Sequence, residues 1–511
     1  MKTLDELRRQ IDAADRDLLD AFDRRLDAVK MIGELKKAQG KPIFDPVREQ
    51  EKIAQLEALA SPKTRPHIRR LYTEIMDIAK DVESKPLFGV LGKSLPHTYS
   101  PEIHGMITTD YEYAVIERAE EELGELWEQG KKGVYGGFNV TIPYKKNAYA
   151  MCDECTPCAS ETGAVNTVVF RKDGRSFGAN TDVYGFEYML KSSDIDPAGK
   201  TVLILGTGGA SAAVYAALKK MKAGAVKFVS RSGDINYSNV YDLCSDAKII
   251  VNCTPVGMYP AIMESPIDIS RFGELEAVAD IIYNPSSTML LYEAKKRGLK
   301  TAGGLKMLVA QAFKASAFFK GAKDDAEAER MFSYDDISRV TDELQRKMTN
   351  VTIIGMPGSG KTWLARRLGE VLNREVVDLD EKFTDTYGKT PAQTIREEGE
   401  EAFRRAESAV ARKELARSGI VISCGGGIVT REENYFPLKC NSLVLYNERP
   451  LEVLCGSDRP LTAQKGVEKL YEERKDAYAS LADIVISVGA RNTCEEYIEE
   501  AVRIFNENTR T

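Results

Sequence analysis

Thr201-Val202-Leu203-Ile204-Leu205-Gly206-Thr207-Gly208-Gly209-Ala210-Ser211 decides the fold of the middle of this chain. Thr201–Leu205 predicts a short buried strand. The glycines that follow permit a tight turn, and the residues after them open a helix. A strand, a glycine turn and a helix in that order let backbone amides approach a pyrophosphate at the helix N-terminus. The stretch therefore predicts an α/β domain that holds a dinucleotide, with Gly206, Thr207, Gly208, Gly209 and Ala210 beside the cofactor. The next strand ends Lys227-Phe228-Val229-Ser230-Arg231-Ser232. An acidic residue there would bind the adenosine ribose of NAD. Arg231, beside Ser230, suits a 2′-phosphate instead, so the expected cofactor is NADP(H).

Just upstream lie Asn139-Val140-Thr141-Ile142-Pro143-Tyr144-Lys145, Ala164-Val165-Asn166-Thr167 and Asn180-Thr181-Asp182. Thr141, Lys145, Asn166 and Asp182 bring a hydroxyl, an ammonium, an amide and a carboxylate into strand- and turn-rich sequence. Any one alone reads as a satisfied hydrogen-bonding group at a loop end. Together, ahead of a nucleotide turn, they fit a small polyhydroxy substrate held next to the dinucleotide. Over 86–348 these motifs resemble shikimate dehydrogenase, as do Asn252–Met258, Asp280–Tyr283 and Gly304–Gln311. The resemblance implies that Lys145 and Asp182 form the catalytic pair. It also implies that Thr98, Ser100, Thr141, Asn166, Tyr283 and Gln311 bind substrate, and that Ile281 and Gly304 line the cofactor. A lysine that moves a proton needs a partner carboxylate to fix its position. Thr98 stands where the family has serine, which leaves the choice between shikimate and quinate open. The implied division is a substrate half over 86–190 and 305–348, with a Rossmann NADP half over 191–304.

Further on, the strand Val351-Thr352-Ile353-Ile354 runs into Gly355-Met356-Pro357-Gly358-Ser359-Gly360-Lys361-Thr362. This is G-x4-G-K-T in full. Its amides cradle phosphates, Lys361 reaches the terminal ones and Thr362 binds magnesium. Gly358, Ser359, Gly360, Lys361 and Thr362 are therefore the expected ATP site. Asp378-Leu379-Asp380, Phe403-Arg404-Arg405, Cys424-Gly425-Gly426-Gly427, Arg459-Pro460-Leu461 and Glu473-Arg474 follow in order. Carboxylates suit magnesium and a hydroxyl; arginines suit a carboxylated acceptor and the transferred phosphoryl group. A gluconate kinase has a similar loop, but two arginines fitted to a carboxylate would go unexplained. Over 349–511 the chain resembles shikimate kinase. The resemblance implies that Asp378 assists Mg2+, that Asp380, Arg404, Gly426 and Arg474 bind shikimate, and that Arg459 reaches the nucleotide from a lid.

The first 85 residues are helical by pattern. Leu4, Leu7, Ile11, Ala14, Leu18, Phe22, Arg25, Val29, Ile32 and Lys36 recur at three- and four-residue spacing, which predicts one long amphipathic helix. Gly40-Lys41-Pro42 ends it. A second helix is expected from near Asp45-Pro46, and a third from about Pro66 to Glu83. Three such helices make a poor core alone, so an intertwined homodimer is expected. Arg25 and Lys36 interrupt the apolar stripe three turns apart and face the same way. The segment resembles the all-helical chorismate mutases. That implies a chorismate site of Arg8, Arg25, Lys36, Asp45, Arg48, Glu49 and Glu83, in which Arg25, Lys36 and Glu83 carry the rearrangement by charge alone. Some members carry glutamine where this register places Glu83. A glutamate donates a hydrogen bond only when protonated, so the rate should favour acidic pH. Ala79 replaces a family serine. The other reading makes the segment a dimerisation or regulatory module, with only the dehydrogenase and kinase catalysing.

Size and composition agree with several domains. The chain has 511 residues, 43% hydrophobic and 29% charged, with a net charge of −7. That balance implies no general affinity for nucleic acid or anionic membrane. The N-terminus has no apolar signal core, and no apolar run approaches a membrane span. Nine scattered cysteines fit reduced thiols and a cytoplasmic location. Cys152, Cys155 and Cys158 form C-x2-C-x2-C but lack a fourth ligand at suitable spacing, so no metal is expected there. The expected fold is multidomain: an all-α helical domain over 1–85, an α/β dehydrogenase over 86–348 and an α/β P-loop kinase over 349–511. The expected function is trifunctional: chorismate to prephenate, NADPH-dependent reduction of 3-dehydroshikimate to shikimate, and ATP-dependent phosphorylation of shikimate.

Overall fold

A computed structural model describes residues 3–38, 46–96, 98–454, 466–487 and 494–508. Contacts divide the chain into two compact units: residues 1–180 with 315–328, and residues 181–314 with 329–511.

The first unit begins with three helices, α1 (Leu4–Ala38), α2 (Pro46–Leu59) and α3 (Arg65–Ser84). Val29, Ile53, Met76 and Ala79 form their small buried core. Most of the α1 stripe stays outside it: Leu4, Leu7, Ile11 and Leu18 are 64, 45, 60 and 66% exposed. Lys30 of α1 reaches Glu112 at 2.7 Å.

A six-stranded sheet follows in the same unit. Its strands are β1 (Leu87–Gly92), β2 (Glu112–Glu117), β3 (Gly137–Val140), β4 (Glu154–Cys155), β5 (Thr167–Phe170) and β6 (Ser176–Ala179), in the order β2-β1-β3-β5-β6-β4. β5 is antiparallel to both of its neighbours, β3 and β6. Phe88 stacks on Phe319 at 4.2 Å, so the end of the helix Leu305–Phe319 contributes to this core. His104 is buried beside them, its ring 3.9 Å from that of Tyr113 and its Nδ1 2.6 Å from the Tyr111 hydroxyl. Burial holds its pKa down to about 3, so it stays neutral.

The second unit contains two parallel sheets. β7 (Thr201–Leu205), β8 (Ala225–Val229), β9 (Ile249–Asn252), β10 (Ala277–Asp280) and β11 (Lys300–Gly303) lie in the order β11-β10-β9-β7-β8. β12 (Asn350–Ile354), β13 (Val376–Asp378), β14 (Val421–Ser423), β15 (Ser442–Glu448) and β16 (Ile484–Ser487) lie in the order β13-β14-β12-β15-β16. Both interior strands that open these sheets, β7 and β12, are almost wholly buried, which explains their continuous apolar runs. In each sheet the chain reverses its winding beside the first strand, leaving a crevice at the carboxyl ends.

The two sheets belong to one packed body. Ser286 N donates to Asn441 Oδ1 at 2.7 Å and Ser287 N to the Cys440 carbonyl at 2.9 Å. Ile262, Ala416, Phe436 and Cys440 form an apolar cluster at this junction, and Tyr292 meets Phe436 at 5.4 Å between ring centres. The absence of a Gly/Ser- or Pro-rich linker near Met348 is thus matched by a built interface.

Candidate functional site

The loop after β12 has the conformation its glycines predict. Gly355, Gly358 and Gly360 have φ of 151°, 84° and 89°, values that side-chain-bearing residues avoid. The helix Lys361–Leu372 begins directly behind it. Lys361 Nζ is folded back onto the Gly355 and Met356 carbonyls, at 3.1 and 2.9 Å. Ser359 Oγ is buried and has no hydrogen-bond partner, as a loop built around an anion would leave it. Thr362 Oγ1 donates to Asp378 Oδ2 at 2.7 Å, which places two magnesium-type oxygen ligands together. The residues present therefore fit a magnesium-bound nucleoside triphosphate.

Beside this loop sits a cationic cluster. A Cβ on Gly426 would lie 2.8 Å from Pro357 Cδ, so the turn after β14 touches the phosphate loop. Arg404 and Arg474 are both buried. Arg404 Nη1 donates to Glu407 Oε2 at 2.6 Å, and Arg474 Nη1 to the Gly426 carbonyl at 3.1 Å. A Cβ on Gly427 would strike the Arg404 guanidinium at 2.1 Å, and one on Gly425 would meet Glu407 and Asp380. The three glycines thus let backbone lie flat against the cluster. The Nε atoms of both arginines are buried without partners. Asp378, Asp380, Arg404, Gly426 and Arg474 are all brought together.

Sequence reasoning missed Glu407, Tyr478 and Arg449 here. Burial raises the Glu407 pKa against the opposing pull of Arg404. Tyr478 OH donates to the Gly426 carbonyl. Arg449 lies 3.9 Å from where a Gly360 Cβ would be. The spacing of Arg404 and Glu407, three apart on one helix, was a legible signal; nothing local marked Tyr478 or Arg449. Arg459 lies outside the described residues.

The dinucleotide turn also forms as expected. Gly206 has φ 96°, and a Cβ there would meet Thr254 Cγ2 at 2.9 Å. Thr207, Gly208 and Gly209 are exposed and a Cβ on either glycine would point into open space, so the backbone at the start of the helix Gly209–Lys220 is open to a ligand. Arg231 is exposed and makes no hydrogen bond or ion pair among the described residues. Open backbone at a helix start and an uncommitted cation fit a phosphorylated dinucleotide. Gly304 is buried so close to Ile281 that a Cβ would come within 2.1 Å of its carbonyl oxygen. Asp280, buried next to it, accepts from Asn252 at 3.1 Å, Thr288 at 2.8 Å and Ile282 N at 3.0 Å. Burial pushes its carboxyl up to about 7 despite these donors. The sequence motifs contained Asn252 and Asp280 but did not reveal this network.

The polar set divides between the two units. In the first, Thr98 Oγ1 donates to Ser100 Oγ at 3.2 Å, Thr141 follows β3, and Lys145 opens the helix Lys145–Met151. Asn166 is buried and its Oδ1 accepts from Thr167 at 3.1 Å; Asn139 Nδ2 reaches Thr167 Oγ1 at 3.1 Å. In the second, Asp182 opens the helix Asp182–Lys191 and is buried. Thr181 Oγ1 lies 3.3 Å from Gln311 Oε1, so the Asp182 and Gln311 segments meet. Tyr283 is half-buried, which raises its pKa.

In the helical segment Arg25 Nη1 reaches the Ile75 carbonyl at 3.5 Å, and Glu49 pairs with Lys80 at 3.0 Å. Lys36 is half-buried, Arg48 is exposed, and exposed Arg8 lies 3.7 Å from Asp5. Arg25 and Glu49 thus both pack toward α3. Asp45 and the Glu83 side chain lie outside the described residues. Cys152 is pushed well above its usual range, chiefly by burial, and Cys158 Sγ lies 3.6 Å from the Asn180 carbonyl. No group of three or more His, Cys, Asp or Glu among the described residues is placed to hold a metal.

Comparison with known proteins separates three regions. The family model for chorismate mutase type II matches residues 7–84, that for the shikimate dehydrogenase substrate binding domain 90–168, and that for shikimate kinase 357–505. A shikimate dehydrogenase (NADP(+)) of Clostridium perfringens is 35% identical over 259 residues, covering 48% of this chain and 95% of that protein. One from Caldicellulosiruptor bescii is 37% identical over 256 residues, covering 45% and 88%. A solved chorismate mutase/shikimate 5-dehydrogenase fusion protein from Clostridium acetobutylicum is 31% identical. It covers 51% of this chain and 97% of its own, with a TM-score of 0.47. No helix among the described residues is long and apolar enough to cross a membrane.

Proposed function

We propose, from the premise that this chain belongs to the shikimate dehydrogenase family and carries a type II chorismate mutase domain before it and a shikimate kinase domain after it, that it catalyses three reactions of aromatic amino-acid biosynthesis. These are the rearrangement of chorismate to prephenate, the NADPH-dependent reduction of 3-dehydroshikimate to shikimate, and the phosphorylation of shikimate by ATP. The domains are 1–85, 86–348 and 349–511. When bound, NADPH supplies the hydride and ATP with Mg2+ the phosphoryl group.

The chain's own residues bind, orient and move protons. Lys145 transfers a proton at the substrate oxygen, with Asp182 as its partner carboxylate. Thr98, Ser100, Thr141, Asn166, Tyr283 and Gln311 hold the carboxylate and hydroxyls. Gly206 to Ala210, Ser230, Arg231, Ile281 and Gly304 hold the dinucleotide. In the kinase, Arg404 and Arg474 clamp the acceptor carboxylate, Asp380 orients the attacking hydroxyl, and Lys361 with Arg459 steadies the phosphates. Thr362 and Asp378 hold the magnesium. The observation that carries the reading is the Arg404–Glu407–Arg474–Gly426 cluster lying directly against the phosphate loop. A carboxylated acceptor beside an ATP site is the chemistry that cluster serves.

In the mutase domain, Arg8, Arg25, Lys36, Asp45, Arg48, Glu49 and Glu83 form the chorismate site, and the exposed α1 stripe is covered by a second copy in a homodimer. The location is cytoplasmic. Three assays on one purified preparation, with its mass in solution, test the whole. A preparation that fails to turn over chorismate while the other two activities run favours a purely dimerising helical domain. Mutase rates should rise toward acidic pH if Glu83 donates as the neutral acid; a flat profile between about pH 5 and 8 removes it from that role.

A further inference from the structure

The junction between the NADP-binding sheet and the kinase sheet forms a partly open cavity of about 430 Å³. Lys295 and Lys306 enter from the dehydrogenase side and Lys439 from the kinase side; Ser287, Thr301 and Asp483 also line it. None of its lining residues belongs to the three sites assigned above.

Its charges are unbalanced. Lys439 is neutralised by Asp483 at 2.5 Å. Lys306 donates only to neutral oxygens, the Ser192 carbonyl at 3.2 Å and Ser193 Oγ at 3.4 Å. Lys295 makes no hydrogen bond or ion pair among the described residues. Two ammonium groups therefore line the cavity without a direct ion pair, the Asp342 carboxylate acting on Lys306 only at longer range. Desolvation lowers the pKa of half-buried Lys306; Lys295 is lowered too, although its side chain is exposed at the cavity mouth. A second sign is independent of charge. Ser287 is only 9% exposed, lines the same cavity, and its Oγ has no partner. A buried hydroxyl without a partner costs free energy unless a ligand or water completes it.

We propose that this cavity binds a small phosphorylated metabolite through its phosphate, held by Lys295, Lys306 and the Ser287 hydroxyl. Its volume suits a small metabolite. The donors favour phosphate over carboxylate: lysines act as point charges, and no arginine fork for bidentate carboxylate binding lines the walls. A ligand here touches the helix Leu305–Phe319, which carries Gln311, and the kinase helix Tyr435–Cys440, so it spans the junction of the two sheets.

The test is calorimetric titration of inorganic phosphate into the full chain at fixed ionic strength. NADPH, ADP–Mg2+, shikimate and prephenate are kept saturating to fill the anion sites assigned above. Wild type should show a saturable phosphate component that Lys295→Gln weakens at least about tenfold, as expected for loss of a charge-assisted contact. Lys306→Gln should do the same and Ser287→Ala should weaken it less. Lys296→Gln, one residue away and outside the cavity, should bind as wild type. Identical isotherms for wild type and Lys295→Gln overturn the proposal, as does equal displacement by chloride. If Lys306→Gln does not fold, Lys295→Gln and Ser287→Ala decide the matter.

Discussion

Arg404 donates to Glu407 at 2.6 Å, and both side chains are buried beside the glycine turn that faces the phosphate loop. Neither charge can be left alone there. Breaking a buried ion pair by removing one partner costs about 3–5 kcal/mol. Glu407→Ala leaves Arg404 with the more exposed Glu400 at 3.5 Å, so it should destabilise the kinase domain by up to about that much and abolish shikimate phosphorylation. Denaturant unfolding and a kinase assay check this; a variant that unfolds like wild type refutes it.

The helix Asp182–Lys191 packs on the helix Leu305–Phe319 through Gly185. A Cβ there would stand 2.7 Å from the Met307 carbonyl oxygen and 3.1 Å from Gln311 Cβ. Gly185→Ala must push the two helices apart and carry Gln311 with them. The expected result is at least a tenfold rise in the dehydrogenase KM for shikimate, with kinase turnover unchanged. Steady-state kinetics of both reactions on one preparation decide it.

Asp280 makes the stability of the NADP-binding sheet depend on pH. Its carboxyl titrates at about 7 in the folded chain, because burial disfavours its charge. An unfolded aspartate titrates near 4. Below that value both states are protonated and the contribution is fully present. As pH rises toward 7 the unfolded chain releases the proton while the folded one keeps it. Stability therefore falls across this window, by about 1.4 kcal/mol per pKa unit. Asp280→Asn should flatten that part of the curve. Unfolding midpoints measured from pH 4 to 8 for both proteins test this, and parallel curves exclude it.

Arg231 is free to meet a 2′-phosphate. Arg231→Ala should cut the ratio of kcat/KM for NADP over NAD by roughly 10- to 100-fold, the worth of a charge-assisted contact. The NAD rate should hardly move. An unchanged ratio would transfer the selectivity to other residues.

Much of this molecule was legible from local pattern. The glycine turns at Gly206 and Gly355 sit where strand, turn and helix periodicities predict, because backbone sterics make those turns nearly independent of the rest of the fold. Helix α1 follows from its apolar spacing in the same way. The kinase residues Asp378, Arg404, Gly426 and Arg474 could be named in advance, yet their common location could not. Glu407, Tyr478 and Arg449 join them from separate elements, and only chain folding brings such groups together.

The sequence by itself determined the three kinds of domain and the order in which they occur. Hydrophobic period, turn chemistry and short motifs act over a few residues, and no distant contact is needed to read them. Tertiary structure alone decided that Ser286 and Ser287 meet Cys440 and Asn441, so the dehydrogenase and kinase sheets form one body. It alone buried Asp280 among its donors, and it left Lys295 and Lys306 facing a shared cavity without a direct ion pair. Desolvation and charge pairing depend on what lies within a few ångströms in space, and spacing along the chain does not encode that.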